Sequence, residues 1–485
     1  MDTDSSDVES VGFRSRPFWE TLQEKGTGIA LIDPEESRCW SYRSLGACVI
    51  SAAEHLPLTR PGLVFLFGEN DFGGIATYLG ALLAGHSVYL LSTKIYHPSV
   101  VRLVSCYNPD IILTRLSASN SAICQDYAEC DLIFGYHCYR RACPENTAIH
   151  PELSLLISTS ASTGNPKTVK ISQRGLLAST FQVMTALQVT ESDRAITSLP
   201  FTHVYGLSVV NSHLAAGASL VLQKRSIGDP VFWEHKARWR WTTLAGVRTT
   251  YELVNQQPAR IGALRETRKL LHSGDAMPSR IFDRLYSELS ADGVGIYLMY
   301  GQTETCGRIS VLPPTLLPEH SSSVGLPVPL GKVSIAENTE IVYRGPNAMM
   351  GYASCRADLS LGDQTKGCVH TGDSGYIDSN NLLHVTGRLA RTCKLFGQRI
   401  CLDDLEKAFQ GIGPVAAVRE DDKVALYFEA STNHIRAKVL TLARAFRIPP
   451  QSFLLRQVAS FPRTEAGKIS YRDLSSPAST NAFDE

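Results

Sequence analysis

Two kinds of segment alternate along much of this chain. Short apolar runs rich in β-branched residues, typical of buried strands, alternate with segments patterned as helices. The first examples are strand-like runs at 63–67, 87–91 and 110–114, with helical patterns near 71–84 and 98–107 between them. Parallel strands need a long crossover connection, which is usually a helix. The alternation therefore predicts an α/β fold with parallel sheets covered by helices.

The alternation continues to about residue 300 and then changes. Further strand-like runs are LSLLIST, RAITSLP, SLVLQ, TTLAGV and GVGIYLMY. From about residue 322, short strands and turns predict a smaller β-rich subdomain. A boundary is expected within 384–392, followed by a compact α+β unit. We therefore predict a large N-terminal domain of helix-covered sheets plus the β-rich subdomain (residues 1–388), and a small mobile α+β C-terminal domain (residues 389–485).

Composition excludes several classes of partner. The chain has 47 acidic and 47 basic residues, and no basic block that would favour nucleic acid. The longest apolar run, 74–91, contains polar residues and is divided by Gly85, so it predicts a buried helix and strand rather than a membrane span. The start is acidic and polar, unlike a signal peptide, and the 12 cysteines follow no regular frame. We expect reduced thiols and a cytoplasmic location.

The segment LLISTSASTGNPKTV at 155–169 carries the first functional signal. An apolar strand runs into a Ser/Thr/Gly loop that closes on Pro166 and Lys167. Such a loop can surround phosphate oxygens with donors, and Lys167 adds positive charge. The candidate phosphate ligands are Ser160, Ser162, Thr163, Gly164 and Lys167. A Walker A loop is excluded because Lys167 lies three residues past Gly164 rather than next to it. Taken alone, the loop leaves a plain solvated turn open.

Three further segments make the signal specific. They are YGQTET at 300–305, HTGD at 370–373 and PRTEAGK at 462–468. In this order and spacing, the chain resembles the adenylate-forming superfamily, which includes acyl-CoA synthetases, peptide-synthetase adenylation domains and firefly luciferase. The resemblance extends from WSYRSL at 40–45 to Lys468. It implies activation of a carboxylic acid with ATP and Mg²⁺, and then acyl transfer to a thiol.

The resemblance also implies roles around the nucleotide. Glu304 matches the magnesium carboxylate, and Thr303 a contact to the α-phosphate. Tyr300 matches the residue that packs on adenine, and Gly301 follows it in the same motif. Asp373 and Arg388 match positions that bind the ribose hydroxyls. The ordinary alternatives are a helix-start Glu, a core Tyr and a surface ion pair.

Two lysines match catalytic positions of the small domain. Lys468 resembles the lysine that meets the negative charge developing during adenylation. Lys394 resembles the lysine presented when the small domain rotates for the second half-reaction. A solvated surface lysine is the alternative in both cases.

The acyl pocket is the least readable part of the sequence. The pocket positions implied by the resemblance are His203, Val247, Thr249, Gly274 and Asp275. His203 matches a residue beside the reacting carboxylate, and a hydrogen-bonded core histidine is the alternative. The residues after His203 lack the Asp that selects α-amino acids, so such substrates are disfavoured. The chain departs from the family pattern at Ala161, Thr168, Arg248, Asp275 and Ala390. Asp275 either binds a substrate amine or faces solvent, and Arg248 faces either pocket or solvent.

The acceptor of the acyl group is expected from outside the chain. A carrier domain needs roughly 80 residues, more than the sequence offers after Lys468. The acceptor is then CoA or the phosphopantetheine thiol of a separate carrier protein. An amine acceptor, giving an amide ligase, and a nucleotide-binding homologue without turnover are the alternatives. The sequence does not identify the small carboxylic acid substrate.

Overall fold

A computed structural model describes most of the chain. The described residues are 16–95, 97–116, 126–143, 146–159, 167–395, 398–409, 411–420, 423–429, 432–446, 448–463 and 469–474. They divide into two compact units. The first unit comprises residues up to 159, 167–333 and 343–369, and the second comprises 334–342 and the residues from 370 onward.

Strands of the described chain are numbered in chain order. They are β1 Ile29–Asp33, β2 Arg38–Ser41, β3 Leu63–Gly68, β4 Ser87–Ser92, β5 Ile111–Thr114, β6 Tyr127–Ile133, β7 Tyr136–Arg141, β8 Leu153–Ser158, β9 Thr168–Ser172, β10 Arg194–Ile196, β11 Ser219–Val221, β12 Thr243–Gly246, β13 Lys269–His272, β14 Gly295–Tyr300, β15 Ser310–Leu312, β16 Leu326–Pro327, β17 Lys332–Ile335, β18 Glu340–Arg344, β19 Gly351–Ala353, β20 Cys368–Ile377, β21 Leu383–Arg388, β22 Thr392–Leu395, β23 Gln398–Cys401, β24 Val415–Glu420, β25 Lys423–Phe428 and β26 Phe453–Gln457.

Helices are numbered in the same way. They are α1 Tyr42–Glu54, α2 Phe72–Leu83, α3 His97–Tyr107, α4 Gln173–Ala186, α5 Val204–Ala216, α6 Pro230–Trp239, α7 Arg248–Asn255, α8 Pro258–Ala263, α9 Ser279–Leu289, α10 Leu402–Lys407, α11 Thr432–Phe446 and α12 Tyr471–Leu474. Short 3-10 helices include Phe18–Glu20, Leu22–Lys25, Ser290–Asp292, Thr303–Thr305, Pro314–Leu316, Arg356–Ser360, Leu389–Arg391 and Pro450–Ser452.

Two large sheets form the first unit. One has the order β16-β15-β14-β13-β12-β10-β11-β1-β2, and the other the order β19-β9-β8-β4-β3-β5-β7-β6. In the first sheet β1, β10, β11, β12, β13 and β14 pair in parallel, and in the second β3, β4, β5 and β8 do. Antiparallel strands occupy the edges. The predicted mixed α/β class is confirmed.

Local sequence chemistry sets the starts of the helices. Asp71 caps α2 by accepting a hydrogen bond from the Gly74 N–H, and Ser172 caps α4 in the same way through Gly175. Gly85, with φ of +76°, ends the turn between α2 and β4. The apolar run 74–91 is thus a buried helix and a buried strand, as predicted. Within the described part of the chain, no helix combines the length and apolar character needed to cross a membrane.

The second unit combines small sheets with helices. Most of the β17-β18-β20-β21 sheet lies in it, as do the β22-β23 hairpin and the sheet β24-β25-β26. Its main core packs side chains of α10 and α11 against β24, β25 and β26, and includes Leu405, Phe409, Leu426, Ile435 and Phe453. The content is α+β, as expected for the C-terminal part of the chain.

Candidate nucleotide and acyl site

Three neighbouring parallel strands of the first unit end beside each other. They are β12, β13 and β14, and their pairing is parallel throughout. Ligands of open α/β sheets bind at the carboxyl edge of such strands. The sequence-predicted residues Val247, Gly274 and Tyr300 lie at or just after these strand ends. The topology therefore brings predicted acyl and nucleotide positions to one edge of one sheet.

The segment after β14 is shaped by a close backbone approach. Tyr300 is the last residue of β14 and is partly buried. A Cβ on Gly301 would lie 2.3 Å from the Gly307 carbonyl oxygen, so this position has no room for a side chain. The chain then forms the 3-10 helix Thr303–Thr305, with Thr303 and Glu304 partly buried. Glu304 is thus held on a tightly folded turn.

Glu304 is tied to a side chain that sequence reasoning missed. The Tyr352 hydroxyl donates to Glu304 Oε1 at 2.9 Å. The same ring lies under the ammonium of Lys167, whose Nζ is 4.7 Å from the ring centroid. Burial, followed by the nearby Glu304 charge, raises the pKa of Tyr352, so its hydroxyl stays protonated and remains a donor. Lys167, Tyr352 and Glu304 form one chain of contacts, here called the Lys–Tyr–Glu row.

Strand pairing explains how this row forms. Tyr352 on β19 faces Val169 on β9 across an antiparallel pair. Lys167 lies two residues before Val169, so it occupies the diagonal position on the same face. Backbone atoms fix Lys167: its N–H donates to Thr159 Oγ1, and its carbonyl accepts from the Thr159 N–H at 2.8 Å. The two ends of the predicted phosphate loop are therefore bonded to each other.

Thr168, one of the departures from the family pattern, has a structural partner. Its Oγ1 lies 2.7 Å from the Tyr89 hydroxyl, which also lies 2.7 Å from Ser158 Oγ. Thr168 is buried at the start of β9. The hydroxyl of Tyr89 thereby joins the end of β8 to the start of β9.

The predicted acyl positions differ in exposure. His203 occupies the N-cap position of α5 and Val247 that of α7, without a side-chain capping hydrogen bond; both are partly buried, as is Thr249. Gly274 has a φ of +104°, which favours glycine, and Asp275 beside it is exposed. Arg248 is exposed and pairs with Glu252 at 2.8 Å, so it faces solvent rather than a pocket.

The predicted ribose residues pair with each other in the second unit. Asp373 on β20 and Arg388 on β21 are direct cross-strand partners. Arg388 Nε lies 3.2 Å from Asp373 Oδ1, and the carboxylate is buried while the arginine is half exposed. This is the ion pair that the sequence left open as the alternative, and it is compatible with a carboxylate held in place for hydroxyl donors.

Several predicted site residues lie outside the described residues. They are Ser160, Ala161, Ser162, Thr163, Gly164 and Lys468. Lys394 lies on β22, opposite Arg399 of β23. Ala390 lies in the 3-10 helix Leu389–Arg391. The roles of all these residues stay predictions.

Two further polar groups near the strand ends escaped sequence reasoning. Arg308, four residues after Glu304, is 1% exposed. His272, the last residue of β13, is 2% exposed, and burial lowers its pKa to about 4. His272 begins the segment His272–Asp275, in which only Gly274 and Asp275 were predicted as site residues, and Arg308 lies just outside the motif at 300–305. Only the fold could show that both side chains are buried.

Comparison with known proteins fixes the family. A family model described as AMP-binding enzyme matches residues 18–353. The chain belongs to the AMP-binding enzyme family. The resemblance inferred from the four motifs is confirmed.

Individual relatives in this AMP-binding family are distant in sequence. An oxalate–CoA ligase of Arabidopsis thaliana is 26% identical, over 67% of each chain. A 2-succinylbenzoate–CoA ligase of Bacillus cereus is 24% identical, over 91% of this chain and 94% of the relative.

Solved structures extend the likeness over nearly the whole chain. The o-succinylbenzoate CoA synthetase of Bacillus subtilis with its acyl-adenylate intermediate matches with a TM-score of 0.76 at 21% identity, covering 96% of this chain and 99% of that one. ATP-bound MatB of Rhodopseudomonas palustris matches with a TM-score of 0.78 at 20% identity, covering 94% and 98%. At these identities the structural likeness shows the fold.

Proposed function

We propose that this AMP-binding enzyme is an acid–thiol ligase that adenylates a carboxylic acid with ATP and passes the acyl group to CoA. Its curated relatives are named as CoA ligases for chemically different acids, among them oxalate, indoleacetate and 2-succinylbenzoate. The reaction class is common to these names, whereas the acid is not.

The observation that carries the proposal is the Lys–Tyr–Glu row. It places a lysine over the ring of one tyrosine and a carboxylate at the hydroxyl of the same side chain, beside the bonded ends of the Ser/Thr/Gly loop. A carboxylate held by a tyrosine O–H is a suitable magnesium ligand, because the bond uses Oε1 and orients the other oxygen. Lys167 supplies charge for phosphate oxygens at the loop end.

Adenylation is in-line displacement at phosphorus. A carboxylate oxygen of the acid attacks the α-phosphorus of ATP, and the bond to the β-phosphate oxygen breaks, releasing pyrophosphate. Because negative charge accumulates on phosphate oxygens, catalysis is mainly alignment and charge neutralisation. Mg²⁺, when bound by Glu304, would neutralise part of that charge. Thr303 and Lys468 are the proposed partners of the reacting phosphate, and Tyr300 and Gly301 those of adenine.

Thioester formation is the second step. The thiolate sulfur attacks the acyl carbonyl of the adenylate, and AMP leaves with the bridging oxygen. We assign Lys394 and the small C-terminal domain, residues 389–485, to this step, and Asp373 and Arg388 to the ribose in both steps. A carrier-protein thiol in trans is the competing acceptor. A cytoplasmic location is part of the same proposal, and it is supported by the free thiols of the described cysteines.

The test is a pair of assays on the purified chain. Pyrophosphate exchange into ATP, measured across a panel of carboxylic acids, should appear with at least one acid and require Mg²⁺. With that acid, CoA should release acyl-CoA and AMP. If the reaction stops at the adenylate until a phosphopantetheinylated carrier or an amine is added, the acceptor is that carrier or amine rather than CoA. Absence of exchange with any acid, in a protein that binds ATP, would contradict adenylation.

A further inference from the structure

Arg308, four residues after Glu304, carries a deeply enclosed guanidinium. Its side chain is 1% exposed, and burial lowers its pKa because the charged form is poorly solvated there. A buried charge normally has an ionic partner or a full set of hydrogen bonds. Within the described residues, Arg308 has neither.

The hydrogen bonds of Arg308 use only part of its donor capacity. Nη1 donates to the carbonyl of the adjacent Gly307 at 2.6 Å, and Nη2 reaches Ser208 Oγ at a long 3.4 Å. Nε has no partner in the described residues. The face of Tyr205 lies 4.6 Å from the guanidinium carbon. A guanidinium has five N–H donors, and the described residues use only two of them, so Arg308 retains donor capacity for a bidentate acceptor.

Other buried cations of the first unit have an ionic partner or two shorter hydrogen bonds, although Nε of Arg260 and Arg356 also lacks a partner within the described residues. Arg356, 5% exposed, donates to the Asp110 carboxylate at 2.9 Å. Lys170, fully buried, donates to two backbone carbonyls at 2.9 Å each. Arg260, 8% exposed, also donates to two backbone carbonyls, those of Leu253 and Gly228. Arg308 is more enclosed than either of the other arginines, and one of its two bonds is long.

Position links Arg308 to the acyl side of the site. Its contacts Tyr205 and Ser208 lie on α5, whose N-cap is His203. The Tyr205 hydroxyl donates to the Leu271 carbonyl at the end of β13, one residue before His272. Within the described chain, both ring nitrogens of His272 lack partners. Two under-satisfied polar side chains thus lie at the carboxyl edge where ligands of this sheet class bind.

We propose that Arg308 binds a second anionic group of the acid substrate, so that the preferred substrates are dicarboxylic acids or similarly dianionic acids. This rests on the proposed adenylation function and specifies its substrate class. One carboxylate of the acid is adenylated, and the other accepts two N–H bonds from the guanidinium. His272, neutral through burial, supplies a further ring N–H or acceptor beside that group.

A dianionic substrate also accounts for why the buried charge is kept. An arginine buried only for packing could be replaced by an apolar side chain of similar length without loss. An arginine that meets a carboxylate would reject a substrate lacking that group, because its donors are then left unpaired. The two explanations predict different substrate dependence for the same substitution.

The experiment compares matched acids on matched variants. Pyrophosphate exchange is measured with pairs that differ only in the second carboxylate: pentanoate with glutarate, hexanoate with adipate, and benzoate with phthalate. The variants are Arg308→Met and Arg308→Lys. The control is Arg260→Met, which removes a buried arginine bonded to backbone carbonyls. Binding is followed separately by the rise in Tm that each acid produces with a non-hydrolysable ATP analogue.

The wild type should prefer the dianionic member of the best pair. Arg308→Met should lower kcat/KM for that member on the order of 10² to 10³-fold, mainly through KM, and abolish its thermal shift. The monoanionic member should change little. Arg308→Lys should retain part of the preference, and Arg260→Met all of it.

Two results would contradict the inference. A wild type that prefers monoanionic acids, or equal losses for both members with Arg308→Met, would assign Arg308 to packing. If Arg308→Met does not fold, the preference and thermal shifts of the wild type and Arg308→Lys still decide. Exchange with no acid at all would instead reject adenylation, and with it the substrate class; exchange with monoanionic acids alone rejects only the role of Arg308.

Discussion

The polar groups of the first unit fall into two sets with opposite bonding. On the proposed nucleotide side, Lys167, Tyr352 and Glu304 contact one another without a ligand. On the proposed acyl side, Arg308 and His272 are more deeply buried and have donors or acceptors without partners in the described chain. The difference suggests two designs: a preorganised site for a nucleotide, and a site whose polar groups are completed by the substrate.

This contrast matches what each side has to recognise. ATP and Mg²⁺ are the same in every turnover of an adenylating enzyme, so fixed contacts lower the cost of ordering the site. The acid is the substrate that has to be selected. Selectivity against an analogue is strongest when the analogue leaves buried polar groups of the protein unpaired.

The largest effect is expected at Lys468, which belongs to neither of the two sets of polar groups. Lys468→Ala should reduce pyrophosphate exchange on the order of 10² to 10³-fold, because the lysine is proposed to act mainly in the transition state. ATP binding, measured by titration calorimetry, should stay near wild type. Lys423→Ala, at an exposed lysine of the second unit, is the control. Exchange within a few-fold of wild type would remove Lys468 from the mechanism.

Glu304→Gln tests the proposed role of Glu304 as a magnesium ligand. A neutral amide balances the charge of Mg²⁺ poorly, so exchange should fall roughly 10 to 10²-fold and recover partly at high magnesium. The midpoint of the magnesium titration is the readout. Glu319→Gln, at an exposed carboxylate, provides the comparison. An unchanged midpoint would make Glu304 structural.

Substitutions of Tyr352 test whether it acts by positioning Glu304 or by its contact with Lys167. Tyr352→Phe keeps the ring next to Lys167 but removes the hydrogen bond to Glu304, and should weaken magnesium use about 10-fold. Tyr352→Leu removes both contacts and should also weaken ATP binding. In a double substitution with Glu304→Gln, Tyr352→Phe should add almost nothing. Additive losses would show that the tyrosine does not act through Glu304.

The smallest effect concerns stability on the acyl side. The pKa of His272 is about 4 in the folded chain against about 6.5 unfolded. Because the unfolded state binds the extra proton, the contribution to stability is intact above pH 6.5 and is lost as pH falls towards 4. In His272→Phe, the slope of the unfolding free energy against pH should decrease by about 1.4 kcal/mol per pH unit across that window.

His213 gives an internal comparison for this prediction. It is fully buried, with a pKa of about 4 from the same cause. The slope should therefore decrease but not vanish in His272→Phe. Denaturant unfolding at several pH values measures it. A slope identical to wild type would mean that His272 is not enclosed as described.

Sequence patterns predicted the class of the fold and many of its elements. The runs at 63–67 and 87–91 are β3 and β4, and the intervening pattern is α2. Their period and apolar content decide both burial and secondary structure. Helix α1 was not anticipated, although Tyr42, Leu45, Val49 and Ala52 follow helical spacing after the N-cap Ser41. The β6-β7 hairpin was also missed, because β6 is mostly exposed and lacks a regular apolar alternation.

The site was predictable only where a motif carries the chemistry. Glu304 and Asp373 stand out because they lie in short ordered motifs. Tyr352 could not be identified, since its role depends on the pairing of β19 with β9, residues far apart in sequence. Arg308 could not be recognised as buried, because arginine is normally exposed and only the packing of α5 against the segment after β14 encloses it.

The most direct test of the account follows one oxygen atom. The best acid is labelled with ¹⁸O in its carboxylate and converted with ATP, Mg²⁺ and CoA. If the carboxylate attacks the α-phosphorus, AMP must gain one labelled oxygen while the thioester keeps the other, and mass spectrometry of AMP measures this. Label in inorganic phosphate with release of ADP, or unlabelled AMP beside labelled acid, would contradict an acyl-adenylate.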